Sequence, residues 1–246
     1  MTREFELPRD PFLGTKLFRE DPTYWPDAPN ALDPEENEVA AFLDKMNELY
    51  PQHYALAFLG LAIGHRPSTL RPLRRKGPTP DLVFKDDGTA RLYVRRSHTD
   101  GGQEVAERIK TLAPITIDLP REVADVLRDH IAELEKNAIT RASDLLFPST
   151  RTGKLQSKTG LAKAFETVRT KLGLPKLTPK AMRRTWKDVA RTAGIEKVVR
   201  KAVSGTYTDA MEGRYSTARA GEKRSAVAKV VSINTASGKK RKKGAA

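Results

Sequence analysis

The basic residues best suited to chemistry stand where helices are predicted to begin. Arg66 follows Gly64 at the start of a short helix, and Lys180 and Arg183 stand three residues apart at the start of a later one. Side chains at this spacing project from one face of a helix, so Lys180 and Arg183 should point the same way. A guanidinium fork matches two phosphate oxygens, and helix amides favour an anion. These segments therefore indicate a phosphate-binding surface.

A lysine and a tyrosine would complete a cleavage site that needs no metal. Lys110 precedes a predicted strand, and Tyr215 follows the polar segment that begins at Ser204. Cleavage of a phosphodiester requires a nucleophile, neutralisation of the phosphate charge and a proton for the leaving oxygen. Tyrosine suits a nucleophile whose phosphate ester keeps the bond energy, and lysine suits the proton donor. Each residue alone is typical of a surface or structural position, and only the combination indicates strand cleavage.

The composition favours a globular domain with a polyanionic partner. Hydrophobic residues make up 38% and charged residues 31% of the 246 residues, and the net charge is +14. Such an excess favours DNA, RNA or an anionic membrane through counterion release. The absence of cysteine excludes disulfides, thiol catalysis and zinc fingers, and the four histidines lack metal-ligand spacing. Residues 1–10 do not have the apolar core that is typical of a signal peptide, and the most apolar stretch, 55–63, is too short to span a bilayer. We therefore expect a cytoplasmic protein with no membrane partner.

The hydrophobic pattern predicts an α+β fold that is mainly helical, with a small antiparallel sheet. The first helix should start after Asp33 as N-cap, with Pro34 as its first residue, and run to Tyr50. Thr178 and Pro179 should start a later helix in the same way. The other predicted helices are 52–63, 67–75, 121–136, 158–171, 195–203, 208–214 and 221–231, and the strands are 81–85, 90–97 and 115–119.

In order and spacing, these segments resemble the tyrosine recombinase (phage integrase) family. The run 64–73, Gly-His-Arg-Pro-Ser-Thr-Leu-Arg-Pro-Leu, resembles the family's first arginine box. The run 109–111, Ile-Lys-Thr, resembles its lysine hairpin, and 180–185, Lys-Ala-Met-Arg-Arg-Thr, is similar to its His-x-x-Arg-His-Thr box. The run 204–206, Ser-Gly-Thr, followed nine residues later by Tyr215, resembles its Leu-Gly-His and tyrosine ending.

The resemblance implies a site-specific recombinase that cuts and rejoins double-stranded DNA without metal, ATP or other cofactor. Arg66 and Arg183 would clamp the scissile phosphate, Lys110 would protonate the leaving 5′-oxygen, and Tyr215 would form a 3′-phosphotyrosyl link. Lys180 and Thr206 would complete the catalytic set. The family works as a homo-oligomer, a tetramer on DNA. We also expect DNA contacts from further basic residues: Arg71, Arg95, Arg96, His98, Arg184 and Arg214.

The resemblance also implies three segments. Residues 1–32 would be an arm that ends an upstream core-binding domain, 33–216 the catalytic domain, and 217–246 a C-terminal segment with a basic tail. The helix predicted at 221–231 would dock on a neighbouring subunit.

Three positions depart from the family pattern. Lys180 stands where the family has histidine, Thr206 where it has histidine or tryptophan, and Thr69 where it usually has an acid. We therefore expect activity that is slower or depends on assembly. His98, on the neighbouring strand, is an alternative to Lys110 as the hairpin donor. Two other functions stay open: a non-catalytic DNA-binding regulator on the same scaffold, and a DNA relaxer like the type IB topoisomerases.

Overall fold

The structure is a computed structural model that describes residues 31–33, 36–98, 105–106, 114–174 and 177–206. In these ranges it contains helices and a three-stranded sheet. The helices are α1 (Glu38–Leu49), α2 (Pro51–Ile63), α3 (Pro67–Leu70), α4 (Arg121–Lys136), α5 (Ala138–Arg141), α6 (Lys158–Lys171), α7 (Ala181–Thr192) and α8 (Lys197–Ser204). The strands are β1 (Leu82–Phe84), β2 (Ala90–Val94) and β3 (Ile115–Leu119). The predicted fold class, mainly helical with a small antiparallel sheet, is confirmed.

Helix α2 forms the centre of the core because it is apolar on nearly every side. It packs against α1, α4 and α7. Leu56, Ala57 and Leu59 have no exposed surface. The contact with α7 is close at Gly60, where an added methyl group would lie 2.5 Å from Met182 Sδ. A side chain at this position would therefore force the buried Met182 side chain to shift.

The sheet follows the order β1-β2-β3, and both pairs of strands are antiparallel. Ala90, Leu92 and Val94 alternate with more exposed residues and face the core. Beyond β2, Ser97 pairs with Ala106 in an isolated antiparallel bridge. The hairpin thus extends past the regular strands, and β3 begins at Ile115 as predicted.

Two helix starts differ from the prediction. Helix α1 begins at Glu38 with Asn37 as N-cap, so Asp33 is not the N-cap residue. Asn37 adopts the left-handed conformation (φ 58°), which asparagine tolerates better than most residues. The Asp33 N–H instead donates to the Glu38 carboxylate, and the Asp33 carbonyl accepts from the Glu38 N–H. The two residues therefore close a turn ahead of the helix.

Helix α7 begins two residues later than expected. Its N-cap is Lys180, because Thr178 and Pro179 form a turn in which the Thr178 carbonyl accepts from the Ala181 N–H. Helix α3 ends at Leu70, five residues short of the prediction, and the four-residue helix α5 was not predicted. The helices predicted at 208–214 and 221–231 lie outside the described residues. None of the helices described is both long enough and apolar enough to cross a membrane.

Candidate functional site

Arg183 joins three segments that are far apart in the sequence. Its side chain is 2% exposed, on the buried face of α7. One terminal nitrogen donates to the carbonyl of Gly64 at 2.9 Å and to the carbonyl of Ser204. The other donates to Thr206 Oγ1 at 2.6 Å. The guanidinium group thus connects the end of α2, the end of α8 and the turn that follows α8.

His65 makes a second link between the same segments. Its Nε2 lies 2.8 Å from the carbonyl oxygen of Val203. Burial and, to a lesser extent, the positive charges of Arg183 and Arg66 lower the pKa of His65 to about 4, and the hydrogen bond to Val203 opposes this shift. The ring is therefore neutral near pH 7. A carbonyl only accepts, so Nε2 must carry the proton that it donates to Val203.

Two glycines allow this close packing. Gly64 ends α2 in the left-handed conformation (φ 67°), and an added methyl group would lie 2.5 Å from the Trp186 ring on α7. Gly205 ends α8 with φ 63°, and a methyl group there would lie 2.5 Å from the Ile115 side chain. The first residue of β3 therefore packs against the turn that leads to Thr206. Both positions need a residue without Cβ.

Arg66 and Lys180 are both more exposed than Arg183. Arg66 is the N-cap residue of α3 and is partly exposed, while Lys180 is the exposed N-cap residue of α7. Thr69 Oγ1 donates to the Arg66 carbonyl at 2.9 Å. Thr69 therefore stabilises the turn at Arg66, although it does not supply the negative charge that the family's usual acid would place there.

Thr206 is buried next to Arg183 rather than exposed on the surface. It is 2% exposed, and its hydroxyl lies 2.9 Å from Ser204 Oγ as well as 2.6 Å from Arg183. Ser204 Oγ donates in turn to the Arg200 carbonyl. Thr206 thus helps to fix the position of Arg183.

Of the six predicted DNA-binding residues, Arg71 and His98 contact each other. Arg71 is 4% exposed, and its two terminal nitrogens reach the Gln156 carbonyl at 3.0 Å and His98 Nδ1 at 3.3 Å. The His98 N–H donates to the Ser68 carbonyl at 2.8 Å. His98 is therefore fixed against α3, the helix that Arg66 precedes.

Arg95 and Arg96 both contact Asp81, whose carboxylate is fully buried. Arg95 Nε lies 2.8 Å from Asp81 Oδ1, and Arg96 donates to the same oxygen. Arg96 is 2% exposed and also donates to Thr79, whereas Arg95 is partly exposed and lies against the Tyr93 ring. These contacts favour a supporting role for Arg96. Its predicted contact with DNA stays a prediction.

Of the remaining predicted site residues, the structure describes only some. Arg184 is partly exposed on α7, one residue beyond Arg183. Lys110, Arg214 and Tyr215 lie outside the described residues.

Sequence reasoning missed Asp81 and His65 as parts of the site's framework. The alternation of buried residues in β2 continues to Arg96, and this signal indicates that Arg96 and its partner Asp81 are buried. No local pattern distinguishes His65, because its partner Val203 is 138 residues away.

Solved structures with the same architecture are site-specific recombinases and integrases. XerH site-specific recombinase, bound to a palindromic difH substrate, has a TM-score of 0.63 and 16% identity, over 81% of this chain and 52% of XerH. The integrase of transposon Tn1549, in complex with a circular intermediate DNA, has a TM-score of 0.63 and 23% identity, over 82% of this chain and 66% of that one. This chain has the fold of a tyrosine recombinase catalytic domain.

The recombinase fold is matched over only part of these proteins. The chain spans about half of XerH and just under two thirds of the Tn1549 integrase. A lambda integrase dimer bound to a core site is more distant, with a TM-score of 0.53 and 15% identity. No protein-family model matches the sequence, and no curated protein matches it. The likeness is therefore one of fold.

Proposed function

We propose that this protein cleaves and rejoins DNA strands through a covalent link between Tyr215 and a 3′-phosphate. The cluster around Arg183 carries the proposal, because it joins the segment before Arg66 to α7 and to the run 204–206, three segments on which the resemblance rests. The recombinase fold supports DNA as the partner, since XerH and the Tn1549 integrase are described in complexes with DNA. The net charge of +14 supports a polyanionic partner independently.

In this proposal the two arginines have different surroundings. Arg66 is partly exposed and can approach a phosphate without rearrangement. Arg183 is buried, and the contacts with Gly64, Ser204 and Thr206 fix the position of its guanidinium group. A preorganised donor of this kind costs little reorganisation when charge develops on the phosphate. Arg183 would therefore contact the phosphate as a fixed, buried group, and Arg66 as a more exposed one.

In this proposal Lys180 and Thr206 have different roles at the two positions where the family has histidine, and histidine or tryptophan. Lys180 is exposed at the start of α7, where an ammonium group is available to a phosphate oxygen. Thr206 accepts from Arg183 and is buried, so it positions the arginine. Lys110 would protonate the 5′-oxygen as it leaves, and Tyr215 would attack phosphorus. Religation to a 5′-hydroxyl would then release the tyrosine.

The test uses a nicked suicide substrate, from which the short cleaved strand diffuses away. We expect a covalent protein–DNA adduct that is absent in Tyr215→Phe and at least 100-fold slower to form in Arg183→Lys, because lysine replaces a fork with a single point of contact. The Tyr207→Phe variant is the matched control and should form the adduct normally.

Other outcomes would favour the alternatives. Tight binding with no adduct would favour a DNA-binding regulator, for which the burial of Arg183 is the supporting observation. Relaxation of supercoiled plasmid by a monomer, without pairing of two sites, would favour a topoisomerase-like enzyme.

The proposal includes assembly on DNA through the surface of α8. Val198 and Val199 are 68% and 47% exposed there, and Ile195 beside them is 39% exposed. The amphipathic segment 221–231 of a neighbouring copy has the complementary apolar side chains Val227, Val230 and Val231. Light scattering with DNA should give a tetramer that dissociates in Val198→Glu, and a monomer in both cases would contradict this assembly.

A further inference from the structure

The side chain of His98 has one nitrogen occupied and one available. Nδ1 receives a hydrogen bond from Arg71 at 3.3 Å. For Nε2 the structure gives no partner within the described part of the chain, and the residue is partly exposed. The two ring nitrogens of histidine point away from each other. Nε2 is thus directed away from the buried arginine.

Arg71 determines which nitrogen of His98 carries the proton. A guanidinium group has donors only, so Nδ1 must accept, and the proton of the neutral ring is on Nε2. Arg71 is held from the other side by the Gln156 carbonyl, and Gln156 Nε2 lies 2.7 Å from His53 Nδ1. Arg71, Gln156 and His53 are all buried. A framework of buried side chains therefore presents His98 as an N–H donor of fixed direction.

The backbone places His98 close to the helix that Arg66 precedes. The His98 N–H donates to the carbonyl of Ser68, two residues beyond Arg66 on α3. Two helical positions are about 3 Å apart along the axis, which is just over half of the helical pitch. The main chain of His98 therefore lies within one helical turn of Arg66 along α3.

We infer that His98 donates a hydrogen bond from Nε2 to a non-bridging oxygen of the phosphate that Arg66 holds, with Arg71 as the positioning residue behind it. The inference rests on the proposed function and adds a contact to it. A neutral imidazole is a weak acid, so His98 stabilises charge on the phosphate while the leaving oxygen takes its proton from another group. Arg71, predicted from sequence to bind DNA, then acts through His98.

Two substitutions of His98 test the roles of its two ring nitrogens separately. Asparagine places its side-chain oxygen near the position of Nδ1 and keeps an acceptor for Arg71, but it has no group at Nε2. Glutamine places its amide N–H near the position of Nε2 and loses the acceptor. The inference predicts that adduct formation on the nicked substrate is about 10-fold to 100-fold slower in His98→Asn, as expected for loss of a hydrogen bond to a charged group. His98→Gln should retain most of the rate.

A modified substrate distinguishes this role from that of a proton donor. With sulfur in place of the leaving 5′-oxygen, the leaving group needs no proton. Lys110→Ala should recover on this substrate, and His98→Asn should stay slow. Recovery of His98→Asn would overturn the inference, because it would make His98 the acid. Equal rates for His98→Asn and the wild type would overturn it as well.

Two measurements remain decisive even if no variant forms an adduct, an outcome that would refute the proposed function. Long-range ¹H–¹⁵N NMR of the free protein should show His98 protonated at Nε2 only, and Arg71→Met should lose this preference. Equilibrium binding to an intact DNA duplex should be about 10-fold weaker for His98→Asn than for His98→Gln. Protonation at Nδ1, or equal affinities of the two variants, would contradict the inference.

Discussion

The burial of Arg183 changes how a substitution at this residue should be interpreted. Its guanidinium group satisfies the carbonyls of Gly64 and Ser204, which would be left without these donors if the arginine were removed. An unsatisfied buried acceptor costs about 1–3 kcal/mol. Loss of activity in an Arg183 variant therefore combines a chemical effect with a structural one, and stability must be measured beside the rate.

His65 gives the same cluster a pH dependence. Its pKa is about 4 in the folded protein and near 6.5 in an unfolded chain. Between these values the unfolded chain binds a proton that the folded protein does not, so the free energy of unfolding falls as the pH falls. We expect His65→Gln, which keeps an N–H for Val203, to reduce this slope by up to about 1.4 kcal/mol per pH unit between pH 6 and 4.5.

Urea unfolding at several pH values would measure this effect of His65. His53 also has a pKa lowered to about 4 by burial, so the wild-type protein retains part of the slope from that residue. The comparison is therefore between the two proteins at each pH. A slope that is the same in both would show that His65 is already protonated in the folded state.

At the scale of elements, the contact between α2 and α7 depends on Gly64. Alanine at this position would pay about 1–2 kcal/mol for the left-handed conformation and a further 1–3 kcal/mol for overlap with the Trp186 ring. We expect Gly64→Ala to lose about 2–5 kcal/mol in chemical denaturation. Gly173→Ala is the matched control, because Gly173 has a similar φ of 65° and no atom within 4 Å of an added methyl group.

These two glycine variants separate backbone strain from packing. Gly173→Ala should lose only the conformational part, about 1–2 kcal/mol. If both variants lost the same amount, the close approach of Trp186 to Gly64 would have no energetic importance.

The start of β1 depends on a buried carboxylate. Asp81 accepts from Arg95, Arg96 and the backbone N–H of Arg74. Removing one partner of a buried ion pair leaves an uncompensated charge and costs about 3–5 kcal/mol. We expect this loss in Asp81→Asn, measured by guanidinium denaturation.

Asp118 provides the control for Asp81. It also pairs with two basic residues, Lys85 and Arg91, but its side chain is 58% exposed. Water replaces the lost contacts at such a site, so Asp118→Asn should change stability little. Comparable losses in the two variants would mean that Asp81 is hydrated.

The sequence predicted most of these elements because their hydrophobic periods are clear. It placed α7 two residues early, because Thr178 and Pro179 have the composition of a helix start and only tertiary contacts select Lys180. It also treated Arg71 and Arg96 as surface residues. Charge alone cannot distinguish a buried arginine from an exposed one, since the partners of Arg71, at 98 and 156, are distant in the sequence.

At the scale of the whole molecule, the salt dependence of DNA binding should identify the phosphate contacts. Each contact that releases a counterion contributes about −0.9 to the slope of log K against log salt. We expect Lys180→Gln and Arg66→Gln each to make the slope less steep by about that amount. Lys136→Gln, where the lysine pairs with Glu133 on α4, should leave it unchanged.

Fluorescence anisotropy titrations at several salt concentrations would measure these slopes. A change in affinity without a change in slope would indicate that Lys180 or Arg66 affects binding through the structure of the site rather than through a phosphate.

The hydrogen bonds of Thr206 to Arg183 and Ser204 fix the point at which the segment leading to Tyr215 begins. Tyr215 lies nine positions after Thr206, and a chain segment of that length spans at most about 30 Å when fully stretched. This is about nine base pairs along one strand. For the nucleophile proposed above, chain length alone thus permits attack on a phosphate held by the arginines of its own chain or by those of an adjacent copy. Inserting or deleting residues between Thr206 and Tyr215 should change the balance between the two.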